Sequence, residues 1–313
     1  MHQFLIRRLI QSALLLWLLM TFTFFLTRAT PGGPEAAFLE NPKIGPEEIA
    51  RIRERFGLND PAPVAYMKWL GSAITLDFGR SYYYLRPPLD IIQERIWPTV
   101  QLGLTAYVFA FLGIPLGVIA AFHRGKLPDV IIRVFTVLWD SMPSWWTALV
   151  LIVILSTTIH WFPQGQGRDG PISWFTHIII PAMILGLGGT VAFTRYVRSQ
   201  VLEVLGQDYV RVARAKGLPE RIVTTRHILR NSLLPVVTLM GGFLPGLISG
   251  AALMEGIFNW PGMGRLYLEA AATRDFPLLL AIITMLTLAT LVGMLIADIA
   301  YGVVDPRIRL AQR

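Results

Sequence analysis

Residues able to do chemistry are few in this chain, and they sit at the margins of its apolar stretches. Asp140 stands beside Trp139, Pro143 and the pair Trp145-Trp146, Glu255 closes one apolar run, and Asp298 lies near the end of another. An acid at the edge of a membrane helix has two readings: a paired or hydrated interfacial carboxylate, or part of a pathway or gate. His160 and His177 stand singly, without the His/Asp/Glu set that a metal needs. There is no H-E-x-x-H and no G-x-S-x-G, and no G-x-x-x-x-G-K-[ST] with which to hold ATP. The absence of cysteine excludes disulfide frameworks, redox pairs and thiolate metal sites. The chain therefore reads as neither an enzyme nor the holder of a cofactor of its own.

The densest polar stretch is basic and runs from 195 to 235. Within it, Gln207-Asp208-Tyr209-Val210-Arg211-Val212-Ala213-Arg214-Ala215-Lys216-Gly217-Leu218-Pro219 predicts a short helix over 209–216. Asp208 suits its N-cap and Gly217 its stop. Pro219 at the first position, followed by Glu220, starts a second helix that reaches Pro235. Two short helices joined at a glycine could transmit force from a partner to the flanking spans. The same basic residues could instead anchor a loop at anionic headgroups.

The elements that must position these residues are membrane helices. Only 15% of residues are charged, against about 25% in soluble proteins, and the mean hydropathy is +0.53. A span needs about 20 apolar residues, and six stretches meet this: 9–27, 99–122, 141–159, 172–194, 231–254 and 276–297. The first is too long for a signal-peptide core and lacks a small-residue cleavage site, so it is expected to remain as a span. The net charge of +8 fits positive-inside loops rather than nucleic-acid binding. With the N-terminus inside, inner segments hold sixteen basic residues, while the short outer loops hold only Arg168, Arg265 and Arg274. Both termini are then cytoplasmic.

The organisation expected is a first helix over 1–29, an external helical loop over 30–98, a five-helix core over 99–304 and a tail over 305–313. In the external loop, Pro46 to Gly57 predicts one helix and Val64 to Ile74 another. That loop reads as a small cap over the outer mouth or as a docking surface. A secondary transporter or channel is the rival class, but it would show internal repeats or midplane charges. A structural or assembly subunit is a third.

The motifs carry a family resemblance. Val212-Ala213-Arg214-Ala215-Lys216-Gly217-Leu218, followed by Arg226-His227-Ile228-Leu229-Arg230-Asn231-Ser232-Leu233-Leu234-Pro235, resembles the EAA loop of ATP-binding-cassette importer permeases. The version is that of the dipeptide/oligopeptide/nickel branch, B-type subunit. Phe4 to Leu9, Pro46 to Leu58 with Asp60-Pro61, Asp77-Phe78-Gly79-Arg80-Ser81, Glu255 to Gly264, and Asp298 with Asp305-Pro306-Arg307-Ile308-Arg309 are similar to further family segments, in the same order. Arg211 stands where the general pattern has Glu, as is common in the peptide branch. The resemblance implies an all-α type I importer permease core paired with a homologous C-type permease. It also implies one or two cytoplasmic ATPases carrying ATP and Mg, and an external binding protein that delivers peptides or a related solute. Asp208, Tyr209, Arg211, Ala213, Ala215, Lys216, Gly217, Leu218 and Pro235 would couple to the ATPase. Asp140, Glu255, Trp260, Pro261 and Gly262 are the pathway or gate candidates.

Overall fold

The computed structural model describes residues 2–29, 50, 53, 59–158, 171–233, 236 and 251–304. Among them every regular element is helical, as lipid demands: without water, backbone N–H and C=O groups must be satisfied within the helix or a closed barrel. In chain order the helices are α1 His2–Arg28, α2 Ala62–Ile74, α3 Pro88–Phe111, α4 Gly113–Phe122, α5 Leu127–Asp140, α6 Ser144–Val153, α7 Pro171–Leu205, α8 Asp208–Ala215, α9 Ala252–Ile257, α10 Met263–Ala272 and α11 Phe276–Val304. Wider π-helical turns follow α6 (Ile154–Thr158) and the short turn Glu220–Ile222 (Val223–Leu229).

Among the described residues, four stretches are long and apolar enough to cross a membrane: Leu9–Arg28, Pro88–Phe122, His177–Leu205 and Phe276–Ile296. They correspond to the first, second, fourth and sixth expected spans. The helix of the second starts earlier than expected, at Pro88, because Pro at the first position and Asp90 in the first turn both suit a helix start. It breaks at Leu112. Pro115 has no N–H to offer the Phe111 carbonyl, and the Leu112 N–H donates instead to Phe109 O at 3.0 Å. The third expected span is represented by the ten-residue α6 and its π turn. Residue 159 at its C-terminal end, most of the fifth span, most of the helix predicted over 46–57 and the tail over 305–313 lie outside the described residues.

The chain divides into two compact units. One comprises Met1–Thr99, Ile248–Ala252 and Pro261–Leu295. The other comprises Val100–Leu247, Leu253–Trp260 and Ile296–Arg313. In the first, α2 packs beside the C-terminal part of α1 through Phe24, Tyr66 and Trp69, with the Phe24 ring 5.4 Å from Tyr66 and 5.2 Å from Trp69. Thr21 and the Tyr66 hydroxyl share a 2.6 Å hydrogen bond. Ile91, Ile92, Leu266, Leu278 and Ile282 fill the main core of this unit.

In the second unit α7 lies directly against α3 and α4. An added Cβ at Gly186 would meet Ala106 O at 2.3 Å, and one at Gly113 would meet Thr190 O at 2.3 Å. Absence of these Cβ atoms lets the backbones approach, as small residues do in membrane helix pairs. The Thr190 hydroxyl reaches across to Phe109 O at 2.8 Å, a carbonyl at the α3–α4 break. By helix propensity alone, Gly186→Ala would stabilise by about 1 kcal/mol. The clash reverses that sign, and the substitution is expected to destabilise by about 1–3 kcal/mol. Gly188→Ala, whose Cβ meets nothing within 4 Å, is expected not to destabilise. Thermal unfolding of the two variants in detergent checks the contrast.

Candidate functional site

α8 is eight residues long, too short to persist in isolation, and packing holds it in place. Val210 and Ala213 are buried against Val197 and Val201 of α7 and against Val223 and Ile228 of the π-helical turn. Gln207, extended at φ −74° and ψ 145°, is the N-cap, so the helix starts one residue earlier than expected and Asp208 is its first residue. An acid there still faces the positive end of the helix dipole, which is why cap and first position look alike in sequence. At the other end Gly217 adopts φ +73°. Its N–H donates to Arg214 O at 2.9 Å and the Leu218 N–H to Ala213 O at 3.4 Å, the paired bonds of a Schellman cap. Pro219 is the N-cap of the next turn rather than its first residue.

Arg214 reaches across this glycine turn to Glu220 with bonds of 2.7 and 3.2 Å. These bonds hold the Glu220 carboxyl below its ordinary range. Both groups are well exposed, so the pair contributes little stability but fixes the direction in which the chain leaves α8. Asn231 donates to the Tyr209 hydroxyl at 3.2 Å. Asp208, Tyr209, Arg211, Val212, Ala215, Lys216 and Leu218 are all exposed. The structure thus brings the predicted coupling residues onto one short surface, except Ala213, which is buried beneath it, and Pro235, which lies outside the described residues.

The C-terminal half of α7 continues past the predicted end of its span and carries Arg195 and Arg198. Arg198 grips Asp129, the third residue of α5 and part of its first turn, with Nε to Oδ1 at 2.7 Å and Nη2 to Oδ2 at 2.9 Å. The Gly125 N–H donates to the same carboxylate at 2.9 Å, and Arg133 Nε lies 3.5 Å away. The Arg198 hydrogen bonds, helped by Gly125 and Arg133, hold the Asp129 carboxyl down at about 2. Asp140, at the far end of α5, accepts from Arg195 at 2.9 Å. The Asp129 clamp is absent from the residues singled out in sequence. Its signals were the acid just after Lys126-Leu127-Pro128 and the i,i+4 arginine.

The other gate candidates separate. Glu255 is fully buried, and its carbonyl accepts the Trp260 N–H at 2.8 Å. Trp260 packs among Leu102, Ala106, Ile178 and Ala182 as a core residue of the second unit. Pro261 and Gly262 belong to the first unit, where Gly262 caps α10 and Thr99 Oγ1 accepts the Met263 N–H at 2.7 Å. Also unflagged in sequence is Asp275, the cap of α11, which takes the Leu278 N–H at 3.3 Å. Its other oxygen accepts from the Ser81 hydroxyl and from the Tyr83 N–H at 3.1 Å. The Asp77 to Ser81 turn is thereby tied to α11. Aspartate immediately before Phe276-Pro277 and an apolar run was the readable signal. No group of three His, Cys, Asp or Glu able to hold a metal occurs among the described residues.

Residues 113–310 match the model of the binding-protein-dependent transport system inner membrane component, and residues 1–84 match that family's N-terminal component. The chain belongs to this family. It is a membrane component of a transport system and not an enzyme. It is 38% identical to the oligopeptide transport system permease protein AppB of Bacillus subtilis, over 98% of this chain and 99% of that protein. A putative peptide permease of Brucella ovis is 36% identical over 99% of this chain and 100% of its own length. A probable peptide ABC transporter permease of Sinorhizobium fredii is 33% identical over 99% and 100%. The match over 113–310 covers α8 and the Asp129 clamp of this transport component.

Asp129→Asn would leave the part-buried Arg198 guanidinium half-paired, at a cost of about 1–3 kcal/mol. Because the folded carboxyl titrates below its unfolded value of about 4, its stabilisation is complete above that value. It is lost as pH falls through about 2. The wild type is therefore expected to lose thermal stability between about pH 4 and pH 2 by an amount that the Asn variant does not, read as Tm against pH for both.

Proposed function

We propose that this chain is one of two paired permease subunits of an ATP-driven importer, and that it carries peptides delivered by an external binding protein. The peptide assignment rests on what the relatives in Bacillus, Brucella and Sinorhizobium are called. The distribution of basic residues supports six spans with both termini in the cytoplasm and the loop over 30–98 outside. ATP and Mg belong to the ATPase partners, since this sequence has no phosphate-binding loop.

The observation that carries the coupling assignment is the surface of α8 and its turn. Tyr209, Val212, Leu218 and Ile222 are exposed at 41, 52, 37 and 40%, while Val210 and Ala213 anchor the same helix from below. Apolar side chains held rigidly in an aqueous face, with Arg211 and Lys216 among them, suit a partner's groove. Headgroup anchoring alone would not call for Gly217 at φ +73° and a bidentate Arg214–Glu220 brace. Behind α8, the α7 surface and the two arginine–aspartate pairs connect this helix to α5. Asp140 accordingly serves in that connection.

A Cβ at Gly217 would meet nothing within 4 Å, so Gly217→Val acts through the backbone alone: a β-branched residue strongly disfavours this positive φ. The turn would reset and α8 would change its presentation. In the reconstituted transporter the variant is expected to hydrolyse ATP while uptake per ATP falls several-fold. Hydrolysis and uptake both at wild-type ratio would refute the coupling role.

A further inference from the structure

Within the first unit, a cavity of about 510 Å³ opens among the ends of α1 and α2, the 77–82 turn and the start of α11, a volume typical of ligand sites. Its lining is divided. Phe24, Trp69, Phe276 and Leu280 form an apolar wall, while Arg28, Lys68 and Arg80 face Asp60 and Asp77, leaving one net positive charge. Lys68 is paired with Asp60 at 2.8 Å, and Asp77 accepts the Gly79 N–H at 3.0 Å. Arg80 is exposed and enters no ion pair among the described residues.

The depth of the cavity is fixed by its walls. One apolar stretch ends at Arg28 and another begins at Phe276, and both residues line it, so it lies where the hydrocarbon gives way to lipid headgroups. We propose that this cavity holds a singly anionic phospholipid of the phosphatidylglycerol class. Its phosphodiester takes the Arg80 guanidinium, and an acyl chain runs along Phe24, Trp69 and Leu280. The proposal needs only the membrane setting of this unit, so it stands or falls separately from the ATPase-coupling role of α8.

Native mass spectrometry of the assembled transporter, delipidated in mild detergent and titrated with defined lipids, tests it. Phosphatidylglycerol is expected to bind in preference to phosphatidylethanolamine. Arg80→Gln, a surface change that leaves packing intact, is expected to weaken it about tenfold through loss of a charge-assisted bond. Unaltered phosphatidylglycerol binding by Arg80→Gln would overturn the proposal, as would equal binding of the two lipids. Full competition by soluble glycerol 3-phosphate would also overturn it, by showing a small-anion site with no role for the acyl chain.

Discussion

Close approach of two backbones is the constraint on which the second unit depends. In lipid there is no hydrophobic force between helices, and association rests on packing and hydrogen bonds. Gly113, Gly117, Gly186 and Gly189 remove the Cβ atoms that would hold α7 away from α3 and α4, and Thr190 then reaches the Phe109 carbonyl. Once α7 is fixed in this way, its later turns become a platform. Val197 and Val201 form the apolar seat of α8, and Arg195 and Arg198 hold the two ends of α5 through Asp140 and Asp129.

The two aspartate–arginine pairs do different work. Asp129 is 1% exposed and takes three donors in all, from Arg198 and Gly125, so it behaves as a buried ion pair whose loss is expensive. Asp140 and Arg195 are about half exposed, and water or headgroups compete for them. One end of α5 is therefore clamped and the other lightly tethered. Such an arrangement lets an element pivot while staying attached, which suits a transporter that alternates between states. In the first unit Asp275 has a comparable role: a single buried carboxylate caps α11 and ties the 81–83 turn to it.

How much of this the sequence discloses depends on how local the cause is. Four spans are legible because about twenty apolar residues suffice to mark them. Gly217 is legible as a helix stop because few other residues tolerate its φ. The start of α8 is displaced by one residue because an aspartate is favourable at the cap and at the first position alike. Arg195 and Arg198 read as loop charges, although they lie on a continuing helix, because their partners are 55 and 69 residues away. Trp260 is a gate candidate from its motif, and its place in the core is not legible locally, since burial depends on Ile178 and Ala182 of another helix. The wider turns at Val223–Leu229 have no local sequence mark at all.

The central claim is that the exposed face ending at Leu218 meets an ATPase. The chain contains no cysteine, so a single introduced thiol is unique within it. Leu218→Cys in the assembled transporter, treated with a short thiol-to-amine cross-linker, is the most direct measurement, with Ser72→Cys on the other unit as the control. The account predicts a Leu218→Cys adduct with the ATPase subunit whose yield changes when ATP is added, and none from Ser72→Cys. A complex in which Leu218→Cys labels freely with a small maleimide yet yields no ATPase adduct would contradict it.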